Sequence, residues 1–179
     1  MQSSAHGVNM RVVLDVGPII HLSWIDRLYL LDALFEEILL PLDVREEILA
    51  PSAEIPGIEA IRTVLSQGWS RIYPTPLTAQ PITLPDSLGK GEKGAILVTL
   101  DSHADLLITD DAAARATAQA AGLAVTGTLG VLKATYESGQ SIAVLPLVLE
   151  LRRRGQWISD RLIAIIRHEE QDRRNRDVE

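Results

Sequence analysis

The sequence predicts an α/β fold in which helices cover both faces of a parallel sheet. Short apolar runs rich in β-branched residues alternate with segments of helical periodicity, and glycine or proline separates several of them. Strands that alternate with helices form right-handed βαβ units, whose parallel sheets are buried on both faces. With 179 residues, 46% of them apolar, the chain can bury one core. We therefore expect one domain over residues 11–168, with flexible ends at 1–10 and 169–179.

The individual elements follow from local patterns along the chain. Strands are expected at the short apolar runs 11–14, 37–40, 104–109 and 123–125. Helices are expected from Ile19, over Leu28, Leu31, Leu34 and Phe35, and over 41–49, 58–67, 91–100, 112–121 and 127–138. Gly122 and Gly139 are the expected ends of the last two helices. The proline-rich stretch 73–85 is an expected extended connection with room for one edge strand.

Composition excludes several kinds of site and location. The chain has no cysteine, which excludes disulfides, thiolate zinc sites and a cysteine nucleophile. No apolar run approaches the roughly 20 residues of a membrane span. The first ten residues lack the charged start and apolar middle of a signal peptide. We therefore expect a cytoplasmic protein without membrane contact.

The distribution of charge limits how nucleic acid could bind. A net charge of −7 opposes a broad nucleic-acid-binding surface and permits a local one. Nearly half of the 17 basic residues are arginines near the end of the chain, namely Arg152, Arg153, Arg154, Arg161, Arg167, Arg173, Arg174 and Arg176. We interpret them as a solvated helical face and a charged tail, with a phosphate-binding or partner-binding surface as the alternative.

Acidic residues stand at four edges of apolar segments. Asp15 and the pair Asp110 and Asp111 follow predicted strands, while Glu92 begins a predicted helix and shares its face with apolar residues. Parallel strands end at the same edge of a sheet, so these acids should meet there, together with Glu47 of an earlier helix. Several carboxylates can share a partly buried site when a cation holds them together. The pattern predicts a site for a hard cation such as Mg²⁺ or Mn²⁺.

Each acid taken alone also has a simpler interpretation. Asp15 or Asp111 could cap a helix, and Glu92 could favour the positive start of its own helix. Glu46 is so close in angle to Glu47 that spacing cannot choose between them. We expect no nearby lysine within these motifs to neutralise the acids, and four such positions together favour the metal site.

Histidines and one glycine-containing turn are the remaining candidates. His21, His103 and His168 lack the spacing of metal ligands, so we expect them at the surface or at an interface. The segment 126–130 (TGTLG) follows a strand, where a phosphate cradle would lie. It lacks both the P-loop lysine and the dinucleotide glycine spacing, which favours a threonine-capped helix start.

Five motifs in order resemble a prokaryotic branch of the PIN-domain superfamily. They are VVLDVGP at 12–18, VREEI at 44–48, GEKGAI at 91–96, LITDD at 107–111 and VTGTLGVL at 125–132. The resemblance covers about residues 11–166. It implies a three-layer α/β/α fold with an acidic pocket at the carboxyl edge of a central parallel sheet. It also implies a metal-dependent endoribonuclease, commonly the toxin of a toxin–antitoxin pair.

The resemblance also assigns site residues by position. The catalytic acids would be Asp15, Glu47, Glu92 and Asp111, with Asp110 beside the last of them. Hydrolysis of a phosphodiester needs a water made more acidic by a divalent ion and a neutralised phosphate. Asp15 and Asp111 are therefore expected as direct metal ligands, with Asp110 in the same metal set. Glu92 is expected as a further ligand or a water-orienting base, and Glu47 as an outer ligand or a contact to a second metal ion.

Residues near the substrate are expected on either side of the last acid. Thr109 matches the hydroxyl that often precedes this acid in such domains, and Arg115, one turn after it, could clamp a phosphate. Arg115 could also be a surface or ion-paired arginine. The chain departs from the family at Val16 and Gly17, where such domains usually place a Ser or Thr. Asp15 is therefore expected to lack one orienting hydrogen bond, which would weaken activity.

Rival functions and partners complete the expectations. A phosphoryl-transfer or receiver-type domain also places aspartates at strand ends, but needs a lysine after a later strand, and Lys133 lies within a predicted helix. A catalytically inactive PIN-like binding protein would keep the acidic site for a partner. We expect a homodimer, because 142–151 and the surroundings of Trp24, Leu28 and Leu31 offer more apolar surface than one sheet covers. An antitoxin could occupy the acidic groove by offering it an arginine.

Overall fold

The fold is built on a five-stranded sheet in a computed structural model of the chain. The structure describes residues 8–50, 55, 57–76, 82–138 and 142–176. The strands are β1 (Val8–Leu14), β2 (Phe35–Pro41), β3 (Arg71–Tyr73), β4 (Leu106–Ile108) and β5 (Val125–Thr126). All neighbouring strands pair in parallel, in the order β3-β2-β1-β4-β5. The predicted helix end at Gly139 lies outside the described residues. So does 77–81, the middle of the predicted extended connection 73–85.

Helices flank the sheet. They are α1 (Val16–Trp24), α2 (Tyr29–Leu34), α3 (Leu42–Leu49), α4 (Ile58–Ser66), α5 (Lys90–Asp101), α6 (Ala112–Ala120), α7 (Thr128–Glu137), α8 (Val144–Arg153) and α9 (Asp160–Arg176). Helix α5 packs across β1, β2 and β4 with α3 and α6 beside it, while α1, α2 and α7 pack together. A parallel sheet with helices on both sides confirms the predicted three-layer α/β/α fold.

The central strand β1 is buried on both faces. Val12, Val13 and Leu14 are fully inaccessible to solvent. This explains why the strand reads as a continuous apolar run instead of an alternating pattern. The helical stripe predicted to include Phe35 ends one residue earlier, because Phe35 begins β2. An aromatic side chain packs well on a pleated sheet, and here the sheet contacts override the helical spacing.

The ordered chain extends beyond both predicted domain limits. Strand β1 begins at Val8, three residues before the predicted start, and α9 continues to Arg176 through most of the end expected to be flexible. Glu170 on α9 is buried, and its carboxylate accepts hydrogen bonds from the backbone N–H groups of Val144 (2.5 Å) and Leu145 (2.9 Å). These are otherwise unpaired donors at the start of α8. Helix α9 is thus anchored to α8, because Glu170 caps a helix start that lies 25 residues earlier in the sequence.

Removing this cap should destabilise the C-terminal helix pair. Glu170→Ala is expected to lower the free energy of unfolding by about 1–2 kcal/mol, because two helix-start donors lose a charged acceptor. Glu169→Ala is the matched control, since Glu169 is exposed and its ion pair among the described residues is with Lys133, at 3.5 Å. Urea unfolding of both variants measures the difference. Equal stabilities would show that the buried carboxylate does not hold α8 and α9 together.

The apolar surface on which the homodimer prediction rests is mostly covered within the chain. Leu28 and Leu31 are buried, and in α8 Val144, Val148 and Leu151 are buried as well. Leu149 of α8 remains 42% exposed, and the homodimer stays a prediction. In the part of the chain that the structure describes, no helix is long and apolar enough to cross a membrane.

The arginine-rich segment is occupied by ion pairs. Arg152 Nη1 lies 2.5 Å from Asp160 Oδ1. Arg153 and Arg154 both contact Glu150, with nitrogen–oxygen distances of 2.7 and 2.6 Å. For these three arginines the pairs agree with the interpretation as a solvated helical face, because the charges that a phosphate would need already have partners.

Candidate active site

An open cleft of about 380 Å³ at the carboxyl edge of the sheet brings the predicted acids together. Asp15 follows β1, Asp110 and Asp111 follow β4, Glu47 lies near the end of α3, and Glu92 lies in the first turn of α5. All five line the cleft, together with Val16, Gly17, His21 and Gly89. The meeting of strand-end and helix-start acids expected from the fold is therefore observed.

Asp15 is the one acid of the five that is buried, with 3% of its surface exposed. Its Oδ1 accepts a hydrogen bond from Val16 N–H (2.7 Å), and its Oδ2 accepts one from the Thr109 hydroxyl (2.6 Å). Burial raises the pKa of Asp15 to about 6 against these two hydrogen bonds, and the charges of Glu92 and Glu47 add to the rise. A cation in the cleft would relieve both the burial penalty and the repulsion.

Thr109 orients Asp15 from inside the protein. It is fully buried, donates to Asp15 Oδ2 and accepts from Asp111 N–H at 3.2 Å. This geometry differs from the predicted phosphate contact, because a buried hydroxyl with two partners is out of a substrate's reach. Thr109, directly after β4, supplies a hydroxyl where Val16 and Gly17 have none, so Asp15 does not lack an orienting hydrogen bond.

Glu92 and Asp111 each use one oxygen at the start of a helix. Glu92 Oε2 accepts from Gly89 N–H (2.7 Å), and Asp111 Oδ1 accepts from Ala114 N–H (2.7 Å). The simpler helix-start interpretation therefore holds for both residues. Helix capping does not prevent these residues from binding a metal ion. Within the described residues, Glu92 Oε1 and Asp111 Oδ2 have no hydrogen-bond donor, so one oxygen of each carboxylate is left for a ligand.

Lys90 resolves the ambiguity between Glu46 and Glu47. Its ammonium nitrogen lies 2.9 Å from Glu46 Oε2 and 2.9 Å from Asp43 Oδ1. Glu46 is thereby paired on the outer side of α3, while Glu47 lines the cleft. Lys90 lies just before the segment that contains Glu92, and the catalytic role of Glu47 stays a prediction.

Asp110 makes hydrogen bonds with residues of two helices, α1 and α7. Its Oδ2 lies 2.7 Å from His21 Nδ1 and accepts from the Thr128 hydroxyl, and its Oδ1 accepts from Thr128 N–H at 2.8 Å. Burial raises the pKa of Asp110, but the hydrogen bonds with His21 and Thr128 outweigh it and lower the pKa overall. Asp110 thus caps α7 with both oxygens engaged, in contrast to the metal role predicted for it. The predicted helix start at this turn is correct, although Thr128 is capped instead of capping.

His21 is a cleft residue that the sequence interpretation placed at the surface or an interface. Its side chain is 18% exposed, and its ring lies 5.1 Å from the Trp24 ring in an edge-to-face arrangement. Its spacing of four from Gly17 could have revealed it, because residues at i and i+4 share one helix face. A Cβ on Gly17 would lie 3.5 Å from Asp110 Cβ, so this face of α1 looks toward Asp110.

The contact between His21 and Asp110 should contribute to stability. His21→Ala is expected to lower the free energy of unfolding by about 1 kcal/mol, because a largely buried carboxylate loses one hydrogen-bond partner. His168→Ala is the control, since the side chain of His168 is 79% exposed and pairs with Asp172 one helical turn away. Chemical denaturation of both proteins tests the difference, and an equally small effect would argue against the network.

Comparison with known proteins agrees with this arrangement. A family model described as a PIN domain matches residues 11–171, nearly the whole chain. The chain belongs to the PIN-domain family. No curated protein matches the sequence. PIN domains are generally nucleases, so the cleft lies in a nuclease-type fold.

Arg115 contacts the backbone next to the cleft of this PIN domain without lining the cleft. Its Nη2 donates to the backbone carbonyl of Thr109 at 2.9 Å, and Arg115 is not among the residues that line the cleft. A Cβ on Gly127 would lie 2.5 Å from Asp110 Oδ1 and 2.8 Å from Arg115 Nη2. Arg115 thus packs into the turn between β5 and α7, and the predicted phosphate contact finds no support in this geometry.

The remaining acids of the PIN domain fit a weakly held hard cation. Their donors are carboxylate oxygens, and the pKa of Asp15 is raised mainly by burial and also by the charges of Glu92 and Glu47, both of which a cation would offset. No group of three or more ligand side chains within the described residues is close enough to enclose an ion. Mg²⁺ does not require such an enclosing group, because it is usually held by one or two carboxylates, waters and substrate phosphates.

Proposed function

We propose that this PIN domain is a metal-dependent endoribonuclease that hydrolyses RNA phosphodiesters with Mg²⁺ or Mn²⁺. The observation that supports it best is the buried carboxylate of Asp15, oriented by two hydrogen bonds and facing Glu47, Glu92 and Asp111 in one open cleft. Burying a charge next to like charges costs stability, and a site that needs a cation for its chemistry gives a reason to retain it.

The residues have distinct proposed roles. A bound divalent ion supplies a more acidic water and neutralises charge on the phosphate. Asp15 and Asp111 would hold the ion, with the orientation of Asp15 set by Thr109. Glu92 offers Oε1 either as a further ligand or as acceptor of the proton from the attacking water. Glu47, at the exposed rim, would act as an outer ligand.

Partners and location belong to the same proposal. The chain carries a net charge of −7 and pairs the arginines of α8 with acids, so RNA would be held mainly at the cleft. An antitoxin that inserts an arginine into the cleft, a homodimer and a cytoplasmic location stay predictions. Co-expression with the product of the adjacent gene tests the antitoxin, and light scattering tests the dimer.

Cleavage of matched RNA and DNA oligonucleotides tests the proposal. We expect RNA to be cut internally with Mg²⁺ or Mn²⁺ and left intact with EDTA, and Asp15→Asn to remove the activity. Asp32→Asn is the matched control, because it makes the same change at an exposed residue of α2 that lies outside the cleft. RNA binding without cleavage at any metal concentration would favour the alternative of a catalytically inactive binding protein.

A further inference from the structure

Helices α3 and α5 meet where two of the cleft acids arise, and glycines make this contact possible. A Cβ on Gly91 would lie 2.5 Å from Glu47 Oε2, and a Cβ on Gly94 would lie 3.0 Å from Asp43 Oδ2. Both glycines are buried and stand three residues apart, so they share one face of α5. The carboxylates of α3 therefore lie directly against the backbone of the first turns of α5.

Lys90 adds an ionic contact at the same junction. Its ammonium bridges Asp43 and Glu46, each at 2.9 Å, although Lys90 itself is largely exposed. The side chain of Asp43 is only 15% exposed, so the bridge reaches into the junction. Hydrogen bonds with Asp43 and Glu46 raise the pKa of Lys90, which keeps the ammonium charged. One ammonium is thus shared by two of the three acids of α3, and Glu47 is the acid of α3 that lines the cleft.

We propose that Lys90 and Gly91 are positioning residues that hold Glu47 beside Glu92 in the cleft. Gly91 leaves room for the Glu47 carboxylate, and Lys90 ties the start of α5 to α3 through Asp43 and Glu46. This inference rests on the proposed function, because it concerns where two of its metal-site acids stand. An exposed ion pair contributes little to overall stability. Its effect here is on geometry, and displacements of about 1 Å can lower catalysis strongly.

The direction of the change in Mn²⁺ affinity separates a positioning role of Lys90 from a purely electrostatic one. Lys90→Met removes a positive charge near the acidic cleft, and if charge alone mattered, Mn²⁺ would bind more tightly. If Lys90 positions Glu47, we expect Mn²⁺ affinity to fall about tenfold, RNA cleavage to fall with it, and Lys90→Arg to restore both. Lys93→Met is the control, because it removes the same charge from the same helix, whereas the ion pairs to α3 among the described residues are those of Lys90.

Gly91→Ala provides a second route to the same result. Its methyl group would occupy the place of Glu47 Oε2, so Mn²⁺ affinity should fall although Lys90 is intact. Mn²⁺ binding is measured by the loss of the free-ion paramagnetic resonance signal, with circular dichroism to verify folding. Unchanged or tighter binding in Lys90→Met, or an equal loss in Lys93→Met, would overturn the proposal.

Failure of the proposed function would be recognised separately. A wild-type protein that neither binds Mn²⁺ nor cuts RNA would overturn the nuclease proposal. In that case amide hydrogen exchange of α3 in the metal-free protein still tests the junction. We expect faster exchange over residues 42–49 in Lys90→Met than in Lys93→Met, and equal exchange in the two variants would show that Lys90 does not hold α3.

Discussion

Asp15→Asn is expected to abolish RNA cleavage and to raise the free energy of unfolding of the metal-free protein at neutral pH. Asp15 is 3% exposed, and burial is the largest cause that raises its pKa from 3.8 to about 6. Such a shift corresponds to a destabilisation of about 3 kcal/mol when the carboxylate is charged. The amide avoids this cost but gives up part of two hydrogen bonds, about 1 kcal/mol. A net stabilisation of about 1–2 kcal/mol should remain.

The pH dependence of this effect has a definite sign. Below the ordinary pKa of 3.8, Asp15 is protonated in both the folded and the unfolded protein, so it contributes no penalty. As the pH rises toward the folded-state value of about 6, the unfolded protein loses its proton first, and the folded state loses stability. The gain in Asp15→Asn over wild type should grow across this window and then level off. Urea unfolding of both proteins over this range measures it.

Bound metal should make the wild-type protein more stable than Asp15→Asn. A cation that binds only the folded state raises its stability, by about 2.7 kcal/mol at a hundred times the dissociation constant. We expect Mg²⁺ or Mn²⁺ to raise the melting temperature of wild type and to have a much smaller effect on Asp15→Asn. Asp32→Asn on the exposed side of α2 controls for the loss of one charge. Equal metal stabilisation of all three proteins would show that Asp15 is not a ligand.

Gly127→Ala is expected to be the most destabilising single methyl addition near the cleft. The new Cβ would lie 2.5 Å from Asp110 Oδ1, 2.8 Å from Arg115 Nη2 and 3.1 Å from the Thr109 carbonyl oxygen. Asp110 would have to release Thr128 N–H and uncap α7. Overpacking combined with the lost cap should lower the free energy of unfolding by about 2–4 kcal/mol.

Gly17→Ala is the matched control for Gly127→Ala. Its Cβ would also face Asp110, but at 3.5 Å from Asp110 Cβ, which is an ordinary van der Waals contact. Gly17 lies within α1, where alanine is the better helix former, so its stability should be unchanged or slightly higher. Thermal or urea denaturation compares the two variants. Similar stabilities would mean that the turn before α7 adjusts without cost.

Sequence reasoning succeeded where a residue's place depends on local pattern and on the common direction of parallel strands. Asp15 and Asp111 end apolar runs, and every strand of this sheet points to the same edge, so their meeting follows from the fold. Glu92 begins a helix with a buried face, so its direction could be inferred from helical spacing.

Contacts between distant elements could not be predicted in this way. His21 reaches Asp110 across 89 residues, and Lys90 reaches Glu46 across 44. Neither pair leaves a periodic trace, because each depends on which helices the packing places side by side. The same holds for Glu170, whose polar surroundings in sequence resemble a frayed tail although its carboxylate caps α8. A single sequence contains no signal for such long-range partners.

The place of β1 in the sheet has a consequence for synthesis on the ribosome. This strand leaves the ribosome first but lies at the centre of the sheet, and its neighbour β4 ends at residue 108. At roughly 5–20 residues per second, translation reaches β4 several seconds after β1. Until then Asp15 lacks Thr109, its partner 94 residues later, and the backbone N–H of Asp15 lacks the Ile108 carbonyl. The nascent chain therefore cannot assemble its acidic cleft until β4 and Thr109 have been made.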